Sequence, residues 1–310
     1  MAMTEHGGTG ELTLGPVQFN WPADHWRDFY FRIADEAPVS TVYLGEVICS
    51  KREPLIGDNY LLAAERLTRA GKIVVHPTLA QVVLERDREM VARVCAQTDR
   101  MIEANDGSAL ALLGGRPHHI GPFMNVYNEQ TVAYLAHNGA RNFCLPPEIP
   151  AGAIAALCAA TRELDANIEV QVFGRLPLAV SARCYHARAH DRPKSACRFV
   201  CDLDRDGMTL ETLEGNPFLV VNGIQTLSYD YLNLAGELET LAEMGVSRFR
   251  LSPHDCDMVE VAVIFRAVLD GQLDAEGAME RLDALQLGAP FSNGFFHGRP
   301  GHLWCASGLQ

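Results

Sequence analysis

The sequence has no stretch approaching the roughly 18 consecutive apolar residues that a membrane-spanning helix requires. Its first residues, MAMTEHGGTGELTLG, lack a basic segment followed by an apolar run, so no secretory signal is read there. Basic residues are scarce: 26 Lys and Arg stand against 39 Asp and Glu, for a net charge of -13. That deficit argues against nucleic acid, because phosphate binding relies on clustered cations. It equally disfavours docking on an anionic membrane. Several catalytic signatures are also missing. There is no H-E-x-x-H of a zinc peptidase, no G-x-S-x-G nucleophile elbow, no P-loop, no G-x-G-x-x-G after a strand and no C-x3-C-x2-C.

What is present is ordinary for a globular chain: 48% hydrophobic and 21% charged residues in 310. That is enough for one sizeable core without a disulfide framework. Nine cysteines is an odd number. Where thiols stay reduced, clustered cysteines point to metal rather than to disulfides, and the expected compartment is cytoplasmic.

Along the chain, short β-branched runs alternate with helix-period segments. Strands are expected at 12–19, 40–44, 72–76, 100–104, 119–124, 141–145, 168–173 and 248–251. Helices are expected at 26–36, 60–70, 87–97, 129–137, 153–164, 231–244 and 258–269. Such alternation implies parallel strands joined by crossover helices. Eight strand candidates predict a (β/α)8-like barrel of the TIM type, incomplete or modified, with an open doubly wound sheet as the alternative. The expected organisation is a disordered extension at 1–10 and a single domain over 11–310. That domain carries a cysteine-bearing insertion at 174–216 and a C-terminal tail at 270–310. A short apolar run, Phe218–Asn222, and the turn-like Gly223 follow the insertion.

Cys95, Cys144 and Cys158 sit in apolar helical or strand patterns and read as small buried hydrophobes. Cys256 and Cys305 are undecided. Four others stand apart. Cys184, Cys197 and Cys201 fall in SARCYHARAHDRPKSACRFVCDLD, a polar stretch with no core to join, and Cys49 lies just past a strand in YLGEVICSKRE. Cys197 and Cys201 are four apart, so on a helical turn their sulfurs would point the same way. In a barrel, Cys49 and the insertion both leave the C-terminal ends of strands, the face on which such folds build their sites. Four thiolates suit a tetrahedral zinc or an iron–sulfur cluster, and His186 and His190 offer a mixed Cys/His zinc site; spacing alone does not separate these. Lys51, Arg52, Arg183 and Arg198 beside them would offset thiolate charge.

The segments YLGEVICSKRE, LPLAVSARCYHARAHDRPKSACRFVC, FLVVNGIQTLS and RLSPH, within a match from LGPVQFNWP to the NGF at 293–295, resemble the ubiquinone-biosynthesis (UbiV-like) members of the collagenase-like peptidase family. The resemblance implies a modified α/β barrel and a 4Fe-4S cluster held by Cys49, Cys184, Cys197 and Cys201. It further implies action with a UbiU-like protein in oxygen-independent hydroxylation of an aromatic ring. A lipid-binding accessory protein and a ubiquinone precursor would be the other partners. A zinc-stabilised scaffold and a peptidase are the alternatives.

Two further readings follow from the residues. CDLDRDGMTLE begins like a calcium loop, but its twelfth position is Leu213 rather than Glu, so a solvated turn is expected. Glu46, His76, Asn125, Glu169, Asn222, Gln225 and Arg250 lie near predicted strand ends, where polar residues of a barrel line pockets.

Overall fold

The computed structural model describes residues 10–306. Twelve strands occur among them. They are β1 (Glu11–Leu14), β2 (Thr41–Tyr43), β3 (Ile73–Pro77), β4 (Met101–Ala104), β5 (His118–Ile120), β6 (Ala140–Cys144), β7 (Asn167–Val180), β8 (Met208–Glu211), β9 (Pro217–Asn222), β10 (Gln225–Asn233), β11 (Arg248–Leu251) and β12 (Phe291–Ser292). Strands β1 to β7 pair in parallel in chain order. Strand β11 then pairs in parallel with both β7 and β1, which closes an eight-stranded barrel. Helices lie between successive strands, and the expected barrel fold is the one observed.

The barrel strands bury side chains on both faces, because helices cover the outside and layered residues fill the inside. Leu12, Leu14, Val42, Ile102, Ile120, Phe143, Ile168, Phe249 and Leu251 belong to one continuous core. Cys95 and Cys158 are part of it, and Cys144 is likewise buried, as small hydrophobes should be.

The inside also holds a polar layer. The Arg250 guanidinium donates to Glu169 at 2.9 and 3.0 Å and to Glu103 at 2.5 Å, and it lies 3.7 Å from the centroid of the Tyr43 ring. Glu169 accepts further bonds from Thr13, Tyr43 and Asn142. Burial would raise this carboxyl, but Arg250 and the surrounding donors outweigh it and pull Glu169 down to about 2. Glu103 moves the other way, raised by burial beyond what Arg250 offsets.

Strand β7 does not stop at the barrel rim. Its first half pairs with β6 and β11, whereas its second half runs on and pairs antiparallel with β10. β10 pairs in turn with β9, and β9 with β8, forming an antiparallel ribbon off the end of the barrel. Gly174 sits at the changeover with φ +105°, where a Cβ would lie 2.8 Å from His254 Nε2 and from Ser252 Cβ. Only glycine accommodates both the backbone and the contact.

The helix expected at 231–244 is corrected by this ribbon. Residues 225–233 form β10, and the helix occupies only Leu238–Met244. Four helices were not anticipated: Glu53–Ile56, Gly107–Leu113, Tyr185–Ala189 within the insertion and Ala275–Asp283 within the tail. Residues 1–9 of the extension expected to be disordered lie outside the described residues.

Candidate metal centre

Four segments meet over the C-terminal ends of the barrel strands. The loop after β2 carries Val47, Ile48 and Cys49; the tip of the β9–β10 hairpin carries Gly223 and Ile224. Val47, Ile48 and Ile224 form a small buried cluster, against which Ala80, Phe123, Val180 and Cys184 pack. The hairpin tip is a two-residue loop in which Gly223 takes the left-handed φ +62° that such turns require. Side chains larger than glycine would meet Arg52 Nη2 there at 2.8 Å.

Above this cluster, Cys49, Cys184, Cys197 and Cys201 line one cavity together with Lys51, Arg52 and Phe199. All four thiols are free; Cys197 and Cys201 are buried and the other two half-buried. The fold thus brings the thiol at position 49 together with those at positions 184, 197 and 201.

The local route differs from the one anticipated. Cys197 and Cys201 are not on one helical turn. They flank Arg198 and Phe199, both left-handed at φ 50° and 56°, between two short 3-10 turns. Non-glycine residues there cost on the order of 1 kcal/mol or more each. In return the Phe199 backbone N–H is turned onto the Cys197 sulfur. Burial would raise this thiol, but that N–H and the Lys51 ammonium, 3.1 Å away, outweigh it and lower the Cys197 pKa. Cys49 and Cys184 are instead raised, chiefly by burial. Lys51 is itself fixed by the Lys194 carbonyl at 2.9 Å and by the Phe199 ring.

Arg52 is the second cation. It is buried, and donates to the Gln18 carbonyl at 2.8 Å and to Asn222 Oδ1 at 2.9 Å, while its Nε has no partner among protein groups. Burial opposes its charge, but the Cys201, Glu46 and Cys49 anions outweigh that and raise its pKa. A buried guanidinium beside Glu46 and these thiols favours negative charge on the sulfurs. The donor set, four sulfurs with two cations, therefore fits a metal-bound thiolate cage. A lone tetrahedral zinc with Zn–S near 2.3 Å would draw its sulfurs to roughly 3.8 Å from one another. Among the described residues only one set of three or more ligand-bearing side chains has its ligand atoms within 4.8 Å, and these cysteines are not in it.

Glu46 links this cage to a neighbouring cavity of about 250 Å³ lined by Glu46, Tyr60, His76, Met90 and Arg93. Its Oε1 accepts from the backbone N–H of Ile48 at 2.7 Å and of Cys49 at 2.9 Å, so it sets the path of the Cys49 loop. Tyr60 and His76 are hydrogen-bonded to each other. Burial pushes His76 down to about 4 and Tyr60 up to about 12, so both are neutral near pH 7.

The remaining strand-end candidates scatter. Asn222 braces Arg52; Glu169 and Arg250 belong to the polar layer inside the barrel. Asn125 is exposed on a left-handed residue after a 3-10 turn. Gln225 is fully buried, and neither of its amide atoms has a protein partner. The DRDG turn is not simply solvated. Asp206 accepts from His254 Nδ1 at 2.5 Å and from Arg175 Nε at 3.1 Å, and also from the Tyr231 hydroxyl. These partners, from β7, β10 and the loop after β11, were missed because no local pattern joins them. The latch they form ties the insertion to the barrel.

The solved structures to which the chain is similar include a tryptophan synthase complex from Pyrococcus furiosus, at 11% identity and a TM-score of 0.43, covering 89% of this chain and 98% of that one. Another is phospho-2-dehydro-3-deoxyheptonate aldolase from Thermotoga maritima, at 12% identity and a TM-score of 0.42, covering 94% of this chain and 74% of that one. The family model of peptidase family U32 matches residues 25–305, nearly the whole barrel with its cysteine-bearing insertion, and the chain belongs to that family.

Proposed function

We propose that Cys49, Cys184, Cys197 and Cys201 hold a 4Fe-4S cluster, and that the protein acts with a UbiU-like partner in oxygen-independent hydroxylation of an aromatic ring in ubiquinone biosynthesis. The observation that carries the reading is the cage itself: four free thiols lining one cavity beside Lys51 and Arg52. The likeness of the cysteine segments to UbiV-like proteins supports the reaction class. With every iron held by a protein thiolate, such a cluster would supply electron transfer or cohesion rather than a Lewis-acid position.

The chain's own residues do the rest. Lys51 and Arg52 balance thiolate charge, Glu46 fixes the Cys49 loop, and the neutral Tyr60–His76 pair offers hydrogen bonds to an uncharged ring in a largely apolar cavity.

A cysteine peptidase reading finds no such support. Cys256 and His254 are neighbours, but the Arg175 backbone N–H donates to His254 Nε2 at 2.9 Å while Nδ1 donates to Asp206. Neither ring nitrogen is free to take a thiol proton. Cys256 is raised by burial, and its sulfur points to Met258.

Anaerobic purification, alone and with the partner, tests the proposal. A brown protein absorbing at roughly 400 nm, with iron and sulfide near four each per chain, is expected. A colourless preparation with one zinc per chain, lost on Cys197→Ala, would establish the zinc-stabilised scaffold instead.

A further inference from the structure

We propose that His186, His190 and Asp204 form a second metal site, distinct from the cysteine cage, that takes a divalent ion of the zinc type. The three are brought together from both ends of the insertion. Cys184 caps a short helix, Tyr185–Ala189, within which His186 lies; His190 follows four residues later, on the same face. Asp204 enters from the turn after Cys201. The imidazole rings stack with centroids 5.7 Å apart and planes 11° from parallel. All three ligand atoms lie within 4.8 Å of one another, which no other group of ligand-bearing residues achieves among the described residues.

The three side chains face one common space. His186 is fully buried, yet neither of its ring nitrogens makes an aligned hydrogen bond, and His190 Nε2 is likewise buried without one. Asp204 Oδ2 approaches His186 Nε2 to 2.9 Å, but off the direction of a hydrogen bond. Lone pairs that converge on a common point without pairing are the arrangement a cation satisfies. A buried nitrogen left without a partner is costly. Two imidazoles and one carboxylate are borderline nitrogen and oxygen donors suited to zinc, and three protein ligands leave a fourth position for water. The ion would clip residues 186–190 to residue 204, and so hold together the two halves of the segment that carries Cys184, Cys197 and Cys201. The proposal is independent of which metal the cysteines hold.

The test is zinc titration of the full-length protein purified anaerobically, with bound zinc and iron measured together. One zinc per chain is expected at low-micromolar concentration, with a rise in Tm. His190→Ala, at a half-exposed position, and Asp204→Asn should each weaken zinc binding by at least about tenfold. Iron content and far-ultraviolet dichroism should stay as in wild type, which shows that the variants fold. Cys49→Ser should keep the zinc. Zinc that survives His190→Ala and Asp204→Asn but disappears with Cys49→Ser would overturn the proposal. So would a wild-type protein that binds none.

Discussion

The Lys51 ammonium lies 3.1 Å from the Cys197 sulfur, held there by the Lys194 carbonyl behind it. A cation so placed favours negative charge on the sulfur and on whatever that sulfur binds. Reduction of a bound cluster adds negative charge. Removing the cation must therefore disfavour the reduced form. Lys51→Met is expected to lower the midpoint potential of the loaded protein relative to wild type, as read by a spectroscopic redox titration. An unchanged potential would mean that Lys51 only props the loop.

Glu169 is pulled to about 2 in the fold from an ordinary value of 4.5. Its folded pKa is depressed, so it contributes stability that is fully present above the unfolded value and is lost as pH falls from about 4.5 toward 2. Glu169→Gln leaves Arg250 with Glu103 alone, and is expected to cost about 3 kcal/mol near pH 7. Denaturant melts at pH 7 and pH 4 measure this. The variant should lose less on acidification than wild type does.

His76 supplies a separate acid window. Burial lowers it to about 4 from 6.5, so the folded state resists a proton that the unfolded chain accepts. Stability from this group is complete above pH 6.5 and is lost as pH falls toward 4, by up to about 3 kcal/mol. His76→Gln should make the stability profile less steep between those limits, with the remaining slope due to His118, His119 and His186, which burial also lowers.

At Gly174 a methyl group would sit 2.8 Å from His254 Nε2 on a backbone at φ +105°. Gly174→Ala is expected to destabilise by at least about 2 kcal/mol, through strain and the displaced latch. Limited proteolysis should then cut first within the insertion, between residues 181 and 216. Cleavage spread evenly over the chain would show that β7 and the latch do not anchor that segment.

All eight barrel strands were legible as short runs with buried apolar residues, most of them separated by helix-period segments, and β–α alternation leaves few topologies. Strand β10 was not. Tyr231, Leu234, Leu238 and Leu241 fall at helical spacing, and nothing local reveals that β7 continues past the barrel to pair with Tyr231 and Leu232. Cys184, Cys197 and Cys201 stood out because they fall in a polar stretch with no core to join, and Cys49 because it lies just past a strand. How Cys197 and Cys201 face one cavity was not readable, since left-handed Arg198 and Phe199 carry no sequence mark. The Asp206 latch was invisible for a related reason. Its partners His254 and Arg175 lie 48 and 31 residues away, and DRDG on its own reads as a turn.

The continuation of β7 into the ribbon also sets an order of events. Cys49 leaves the second strand of the barrel, and Cys184 leaves the far end of the seventh, so their meeting depends on pairings spread across most of the chain. Contacts so distant in sequence carry a loop-closure cost that must be met before they reward the chain. If the four cysteines hold a cluster as proposed, the cage that receives it would be complete only once the barrel has closed, and a donor delivering an assembled cofactor would meet its acceptor only at that stage.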